Sequence, residues 1–173
     1  MPQTAALPIA WVTLRVLIVA NIVLGAALLG LLFVSFEDPT WLWAGFGATS
    51  IAARPGGEAG MRAIIAIGIA SVPITAVVLG NLSRIVISVR QHNAFGAANA
   101  GRVRTIAWAL FALQLLHVAA MAIAASIATD KAPLKLGGGG SDISGWLAVV
   151  LLFVLAGVFR EGAAMRDDLD GTI

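Results

Sequence analysis

Among the polar side chains within the long apolar runs of this sequence, three are the most able to carry chemistry. Asn21 lies in the first run, while Gln114 and His117 lie in the third. Because Gln114 and His117 are three residues apart, a helix would place both on one face. An ionisable group within an apolar span is by default a candidate for function, and an imidazole there could relay a proton or contact a ligand.

The chemistry open to His117 is limited by the partners that the sequence offers. A haem held by two histidines would need a second imidazole in an apolar run, but the other histidine, His92, lies between two runs. A proton relay would need a nearby carboxylate, and no apolar run has Asp or Glu in its interior. We therefore weigh a ligand or proton role against a neutral imidazole hydrogen-bonded to Gln114, Asn21 or a backbone carbonyl. For Asn21 the alternatives are a hydrogen bond between helices and a ligand contact.

No arrangement of residues typical of an enzyme is present. The chain has no cysteine, which excludes thiolate catalysis, disulfides and cysteine-held metals. The glycine run 137–140 lacks the lysine and the helix start of a phosphate-binding loop, and with Ser141 it is typical of a flexible loop. A net charge of +2 is too small for a nucleic-acid footprint. We expect a non-enzymatic protein with no catalytic residue, cofactor, metal or direct nucleic-acid partner.

The composition, and its distribution along the chain, predicts the elements that position these residues. Hydrophobic residues are 60% and charged residues 12% of the chain, whereas soluble domains have about 45–50% and about 25%. The apolar residues form four blocks, each able to cross a hydrocarbon core of about 30 Å. The sequence thus predicts an all-α integral membrane four-helix bundle, since short connections make successive spans antiparallel. We predict one domain with spans at 9–36, 61–90, 102–128 and 143–165, outer loops at 37–60 and 129–142, a hinge at 91–101 and a tail at 166–173.

Two local signals refine this prediction. In the first outer loop, Asp38 followed by Pro39 is typical of a helix N-cap and first turn, and we expect the aromatic residues after it to lie at headgroup depth. These aromatic residues are Trp41, Trp43 and Phe46. In the second span, Pro73 predicts a kink, and Ser71 or Thr75 could satisfy the carbonyl that Pro73 leaves without a donor.

The cations predict the orientation of the chain. With the hinge inside, seven of the eleven Lys and Arg residues are cytoplasmic and four are outside. The positive-inside rule then places both termini in the cytoplasm. The inner set is Arg15, Arg84, Arg90, Arg102, Arg104, Arg160 and Arg166, and the outer set is Arg54, Arg62, Lys131 and Lys135.

The hinge and the tail together resemble a known family. The segment A-F-G-A-A-N-A-G-R-V-R-T-I at 94–106, with Phe95, Asn99, Arg102 and Arg104, is similar to the central motif of a bacterial membrane family called domain of unknown function 2975. The acidic tail that closes on Thr172 and Ile173 is similar to the ends of its members. The resemblance implies a small four-span protein of the bacterial cytoplasmic membrane. It also implies a link to a small helix-turn-helix regulator, because members are often encoded beside one.

Three functions remain open at this point. In the first, the hinge and tail bind a cytoplasmic protein partner, although Asn99 could instead cap the third span and the arginines could contact lipid phosphates. In the second, a polar path around His117 serves a small transporter or channel, which a homo-oligomer could form. In the third, the chain is an accessory subunit of a larger membrane complex. The candidate partner-binding residues are Arg90, Phe95, Asn99, Arg102, Arg104, Asp167 and Asp168, and the candidate intramembrane polar residues are Asn21, Gln114 and His117.

Overall fold

The computed structural model describes residues 3–45, 47–90, 97–128 and 143–170. All secondary structure in this part of the chain is helical. The helices are α1 (Gln3–Glu37), α2 (Pro39–Gly45), α3 (Thr49–Ala52), α4 (Gly57–Arg90), α5 (Ala97–Ile127) and α6 (Ile143–Asp170). Side chains are described at 10–45, 47–89, 98–128 and 143–165.

Four of these helices are long and apolar enough to cross a membrane, over Ala10–Glu37, Gly57–Val89, Ala98–Ile127 and Ile143–Met165. Only 6–11% of the residues in their most apolar windows are buried within the protein. Large apolar side chains point outward instead, with Phe33 67% and Val154 61% exposed. Such a surface is stable against lipid but not against water. The all-α class and the multi-pass membrane character are therefore confirmed, while the side on which the termini lie stays a prediction.

The helix boundaries show how two of the predicted segments are folded. Helix α5 begins at Ala97, so the last residues of the predicted hinge at 91–101 are helical. Asn99 consequently lies inside the first turn of α5 and not at the N-cap position, which is where the capping alternative would place it. Helix α6 continues to Asp170, so most of the predicted tail at 166–173 extends the fourth helix. The hinge residues 91–96 and the second outer loop at 129–142, with its glycine run, lie outside the described residues.

The described residues form two compact units. The first consists of α1 up to Ala20, α4 from Ile74, α5 up to Ala112, and α6. The second consists of Asn21–Pro73 and α5 from Leu113. In the second unit, a small apolar core is formed by Leu42, Trp43, Ala48, Ile51, Met61, Ile65 and Ile127.

The first outer loop is folded as its sequence predicts, with one exception. The Oδ1 atom of Asp38 accepts a hydrogen bond of 3.1 Å from the backbone N–H of Trp41, which is the N-cap contact expected at the start of α2. Trp41 is 68% exposed, as an interfacial residue would be. Trp43, however, is only 4% exposed and packs in the core of the second unit, so its ring does not face outward as that of Trp41 does. Phe46 lies outside the described residues.

Helices α1 and α4 pack closely and antiparallel within the second unit. A Cβ atom built on Gly25 would lie 3.0 Å from Cγ1 of Val72, and one built on Gly68 would lie 3.2 Å from Cδ1 of Leu28. As the contact residue moves forward along α1, its partner moves backward along α4. Glycines allow this approach because they add no side chain between the helices. Helix α4 continues through Pro73, and Ser71 donates to the carbonyl of Gly68 at 2.6 Å, not to that of Ile69, which Pro73 leaves without its donor.

Aromatic rings join α5 to α6 in the first unit. The ring centroids of Trp108 and Phe153 are 5.2 Å apart, and those of Phe111 and Trp146 are 6.0 Å apart, both in edge-to-face arrangements. The later residue on α5 contacts the earlier residue on α6, so these two helices are antiparallel as well.

Candidate functional site

A buried polar network closes the end of α4 onto the start of α5. Asn99 is 1% exposed, although an unpaired amide in such a place would cost about 1–3 kcal/mol. Its Nδ2 atom donates to the hydroxyl oxygen of Ser88 on α4, and its Oδ1 atom accepts from Nη1 of Arg102 at 2.7 Å. Both ends of the amide are therefore paired, and Asn99 ties two helices together on either side of residues 91–96.

Arg102 extends this network back to α4. Its Nη1 atom lies 3.4 Å from the backbone carbonyl oxygen of Arg84, a long hydrogen bond that reaches across the two helices. Arg102 is half-buried, whereas the side chain of Arg84 is exposed. We call the surface formed by Arg84, Ser88, Asn99 and Arg102 the basic corner. Within it, Asn99 and Arg102 hold the backbone of α4 and α5 together, and the exposed side chain of Arg84 is available to bind a partner.

A second basic feature lies between α5 and α6 in the same unit. A cleft of about 350 Å³ opens there, within the size range of small-ligand sites. Arg104 and Arg160 line it and are both exposed. We call it the basic cleft, and its other lining residues are Ala100, Gly101, Phe153, Ala156 and Gly157.

The sequence suggested neither the cleft nor the pairing of Arg104 with Arg160 as its two lining cations. Arg104 was predicted to act with Asn99 and Arg102, but the structure places it on the α6 side of α5. Arg160 was interpreted only as the inner end of the fourth span. The available signal was the small residues at 100–101 and 156–157, which leave space beside each arginine.

The polar residues within the spans have different surroundings. Asn21 donates a hydrogen bond of 3.0 Å to the carbonyl of Val72, so the predicted bond between helices is formed. Gln114 and His117 are half-buried, and the side chain of neither residue makes a hydrogen bond to a described residue. The expected bond from His117 to Gln114, Asn21 or a carbonyl is thus not formed within the described residues. His117 shares its helix face with the buried Ala124, two turns away.

An arginine that the sequence placed in the outer set has a structural role in the second unit. Arg62 donates to the carbonyl of Ser35 at 2.6 Å and to the carboxylate of Glu58 at 3.3 Å. Its guanidinium also lies 4.5 Å from the ring centroid of Phe36. Since Ser35 and Phe36 belong to α1, Arg62 links the end of α1 to the start of α4. From the residue type and sequence position of Arg62, only its contribution to the outer charge could be predicted.

Four of the candidate partner-binding residues cannot be assigned to the basic corner or to the basic cleft. Phe95 lies outside the described residues, and so do the side chains of Arg90, Asp167 and Asp168. Across the part of the chain that the structure describes, no group of three or more His, Cys, Asp or Glu residues could hold a metal ion.

The comparison with known protein families agrees with the resemblance found in the hinge and the tail. The family model described as "Protein of unknown function (DUF2975)" matches residues 14–173, which is nearly the whole chain. No curated protein matches the chain, and no solved structure does.

Proposed function

The chain belongs to the family described as "Protein of unknown function (DUF2975)", and we propose that it is a non-enzymatic membrane protein whose basic corner binds a protein partner. The observation that carries this proposal is the burial of Asn99 with both ends of its amide paired across α4 and α5. Apolar residues would hold two helices together at lower desolvation cost, so a buried polar network is better explained by specificity than by stability. It fixes the backbone that carries Arg84 and the chain entering residues 91–96.

The charge distribution supports a cytoplasmic partner with an acidic surface. All arginines of the predicted inner set whose side chains are described belong to the first unit, and those of the outer set belong to the second. The inner ones are Arg15, Arg84, Arg102, Arg104 and Arg160, and the outer ones are Arg54 and Arg62. By the positive-inside rule, the helix ends that carry the inner set of arginines face the cytoplasm. Exposed arginines on that side attract the carboxylates of an acidic protein and orient this protein as it approaches. The partner that the family resemblance implies is a small helix-turn-helix regulator, which we adopt as an analogy.

An affinity capture tests the proposal. The tagged chain is extracted in mild detergent from its own host, and bound proteins are quantified by mass spectrometry. We expect one stoichiometric cytoplasmic protein, and Arg84→Glu should release it because a carboxylate now faces an acidic surface. Arg15→Gln is the matched control, since Arg15 is an exposed arginine of the same unit that stacks over Trp11 at 4.5 Å. Equal capture by the Arg84→Glu variant, or capture of no stoichiometric protein, would overturn the proposal.

The surroundings of His117 favour a second candidate function, a small proton-conducting path. A half-buried imidazole within a span, with no hydrogen bond from any described residue, has capacity for water or a ligand. Liposomes that contain the protein and an internal pH-sensitive dye would report such a path. Proton flux should fall in His117→Ala and persist in Ser126→Ala, an exposed α5 residue whose hydroxyl bonds only to its own helix. Silence of the wild-type protein would exclude the path.

A further inference from the structure

We propose that the basic cleft between α5 and α6 binds the headgroup of one anionic phospholipid. This proposal is independent of the protein partner, because it concerns a different surface of the first unit. Arg104 and Arg160 supply two exposed cations to one cleft. No described carboxylate pairs with either guanidinium, so both are available to a phosphate.

The depth of the two arginines matches the headgroup region of a membrane. Arg104 lies six residues from the start of its apolar segment, Ala98–Ile127, and Arg160 lies five residues from the end of Ile143–Met165. At about 1.5 Å per residue these positions are roughly 8–9 Å inside the segment ends. Since α5 and α6 are antiparallel, both arginines lie near the same end of the helix pair, where long cationic side chains reach lipid phosphates.

The cleft becomes apolar toward the interior of the spans. Phe153 lies two turns before Arg160 on α6, which is roughly 10 Å deeper. Trp108 lies one turn beyond Arg104 on α5, is 54% exposed and contacts Phe153. A charged entrance above an apolar floor fits an amphiphile better than a free phosphate ion, which would gain nothing from the floor. A volume of about 350 Å³ holds the headgroup and glycerol, while the acyl chains lie along the exposed apolar side chains of α5 and α6.

Native mass spectrometry of the detergent-solubilised full chain tests the site with phosphatidylglycerol and phosphatidylcholine as probes. We expect one tightly bound phosphatidylglycerol per chain and weaker phosphatidylcholine binding. Arg104→Gln and Arg160→Gln should each weaken phosphatidylglycerol binding by roughly five-fold, and the double variant should bind both lipids equally. Arg15→Gln controls for attraction to any single exposed arginine and should retain the preference.

A second pair of variants separates a defined cleft from general surface charge. A Cβ atom added at Gly157, which lines the cleft, meets no atom within 4 Å, so we expect Gly157→Leu to fold and to place its side chain in the cleft with both arginines retained. Gly80→Leu is the matched control, because Gly80 on α4 is equally open. We expect phosphatidylglycerol binding to fall only in Gly157→Leu. Unchanged binding in the double arginine variant or in Gly157→Leu would overturn the proposal. So would equal affinity for the two lipids, or displacement of phosphatidylglycerol by inorganic phosphate or by an acidic peptide.

Discussion

The side-chain amide of Asn21 donates a hydrogen bond of 3.0 Å to the carbonyl oxygen of Val72, the residue that precedes Pro73. This bond joins α1 to α4 at Val72, whose side chain also packs closely against Gly25. An amide in an apolar span needs such a partner, because no water is available there to replace it. The contact therefore has both a polar and a steric component, and each can be tested separately.

Replacing Asn21 with leucine should lower the free energy of unfolding by about 0.6 kcal/mol and at most about 1.7 kcal/mol, the average and the maximum for hydrogen bonds between membrane helices. Denaturation of the detergent-solubilised protein, followed by circular dichroism, would measure the change. Asn81→Leu is the matched control, since the Asn81 amide bonds only to Val77 of its own helix, at 2.8 Å. Equal losses in the two variants would show that the contact between helices contributes nothing specific.

The close approach of helices at glycine predicts a steric effect. A Cβ atom at Gly60 would lie 2.8 Å from Cγ2 of Ile127, and one at Gly25 would lie 3.0 Å from Cγ1 of Val72. Alanine at either position should cost about 1–3 kcal/mol through overpacking. Alanine at Gly30, where a Cβ meets nothing within 4 Å, should be neutral or stabilising by up to about 1 kcal/mol. Thermal unfolding would rank the three variants, and a Gly30→Ala loss as large as the others would contradict the packing.

Arg62 should matter more to stability than its ion-pair partner. Arg62→Gln removes the charged hydrogen bond to Ser35 and the contact with Phe36, and we expect a loss of about 1.5–3 kcal/mol. Glu58→Gln breaks only the ion pair with Arg62. Because the side chain of Glu58 is 39% exposed, this change should cost less than about 1 kcal/mol. The same denaturation measurement decides the order. A larger loss in Glu58→Gln would mean that the ion pair, and not the carbonyl of α1, holds Arg62.

The network at the basic corner predicts energetic coupling between Asn99 and Arg102. Asn99→Ala should cost about 1–3 kcal/mol because it removes the buried amide that bonds to both Ser88 and Arg102. Thr105→Ala should cost much less, since the hydroxyl of Thr105 is exposed and bonds to Gly101 of its own helix. A double-mutant cycle of Asn99→Ala with Arg102→Gln should give a coupling energy of about 0.5–3 kcal/mol. Strict additivity of the two single changes would mean that the 2.7 Å contact contributes no interaction energy between Asn99 and Arg102.

The predicted orientation can be mapped directly because the chain has no cysteine. Thr49→Cys and Ala98→Cys introduce single thiols at exposed positions in the second and first units, respectively. In intact cells, a membrane-impermeant maleimide should label Cys at 49 and should label Cys at 98 only after lysis, as the positive-inside rule requires. The opposite pattern would reverse the topology and remove the cytoplasmic protein partner from the proposed function.

Features that depend on composition and on neighbouring residues could be predicted before the fold was known. Four long apolar blocks with few charges dictate four spanning helices, because a lipid-exposed backbone must satisfy its own hydrogen bonds. The cap at Asp38 was also predictable, since the carboxylate and the Trp41 N–H that it accepts are three residues apart. The helix-to-helix bond of Asn21 followed from its type and depth, although the sequence could not identify Val72 as the acceptor.

Which polar side chains bond within the fold and which remain available to a ligand depends on how the helices pack. Asn99, Arg102 and Arg104 are close in sequence, yet the first two turn toward α4 and the third lines a cleft against α6. Likewise, Trp41 and Trp43 are two residues apart, and one is exposed while the other is buried. The direction of a side chain around its helix depends on where the neighbouring helices pack. That packing is set by contacts distant in sequence, such as Gly25 with Val72 and Trp108 with Phe153.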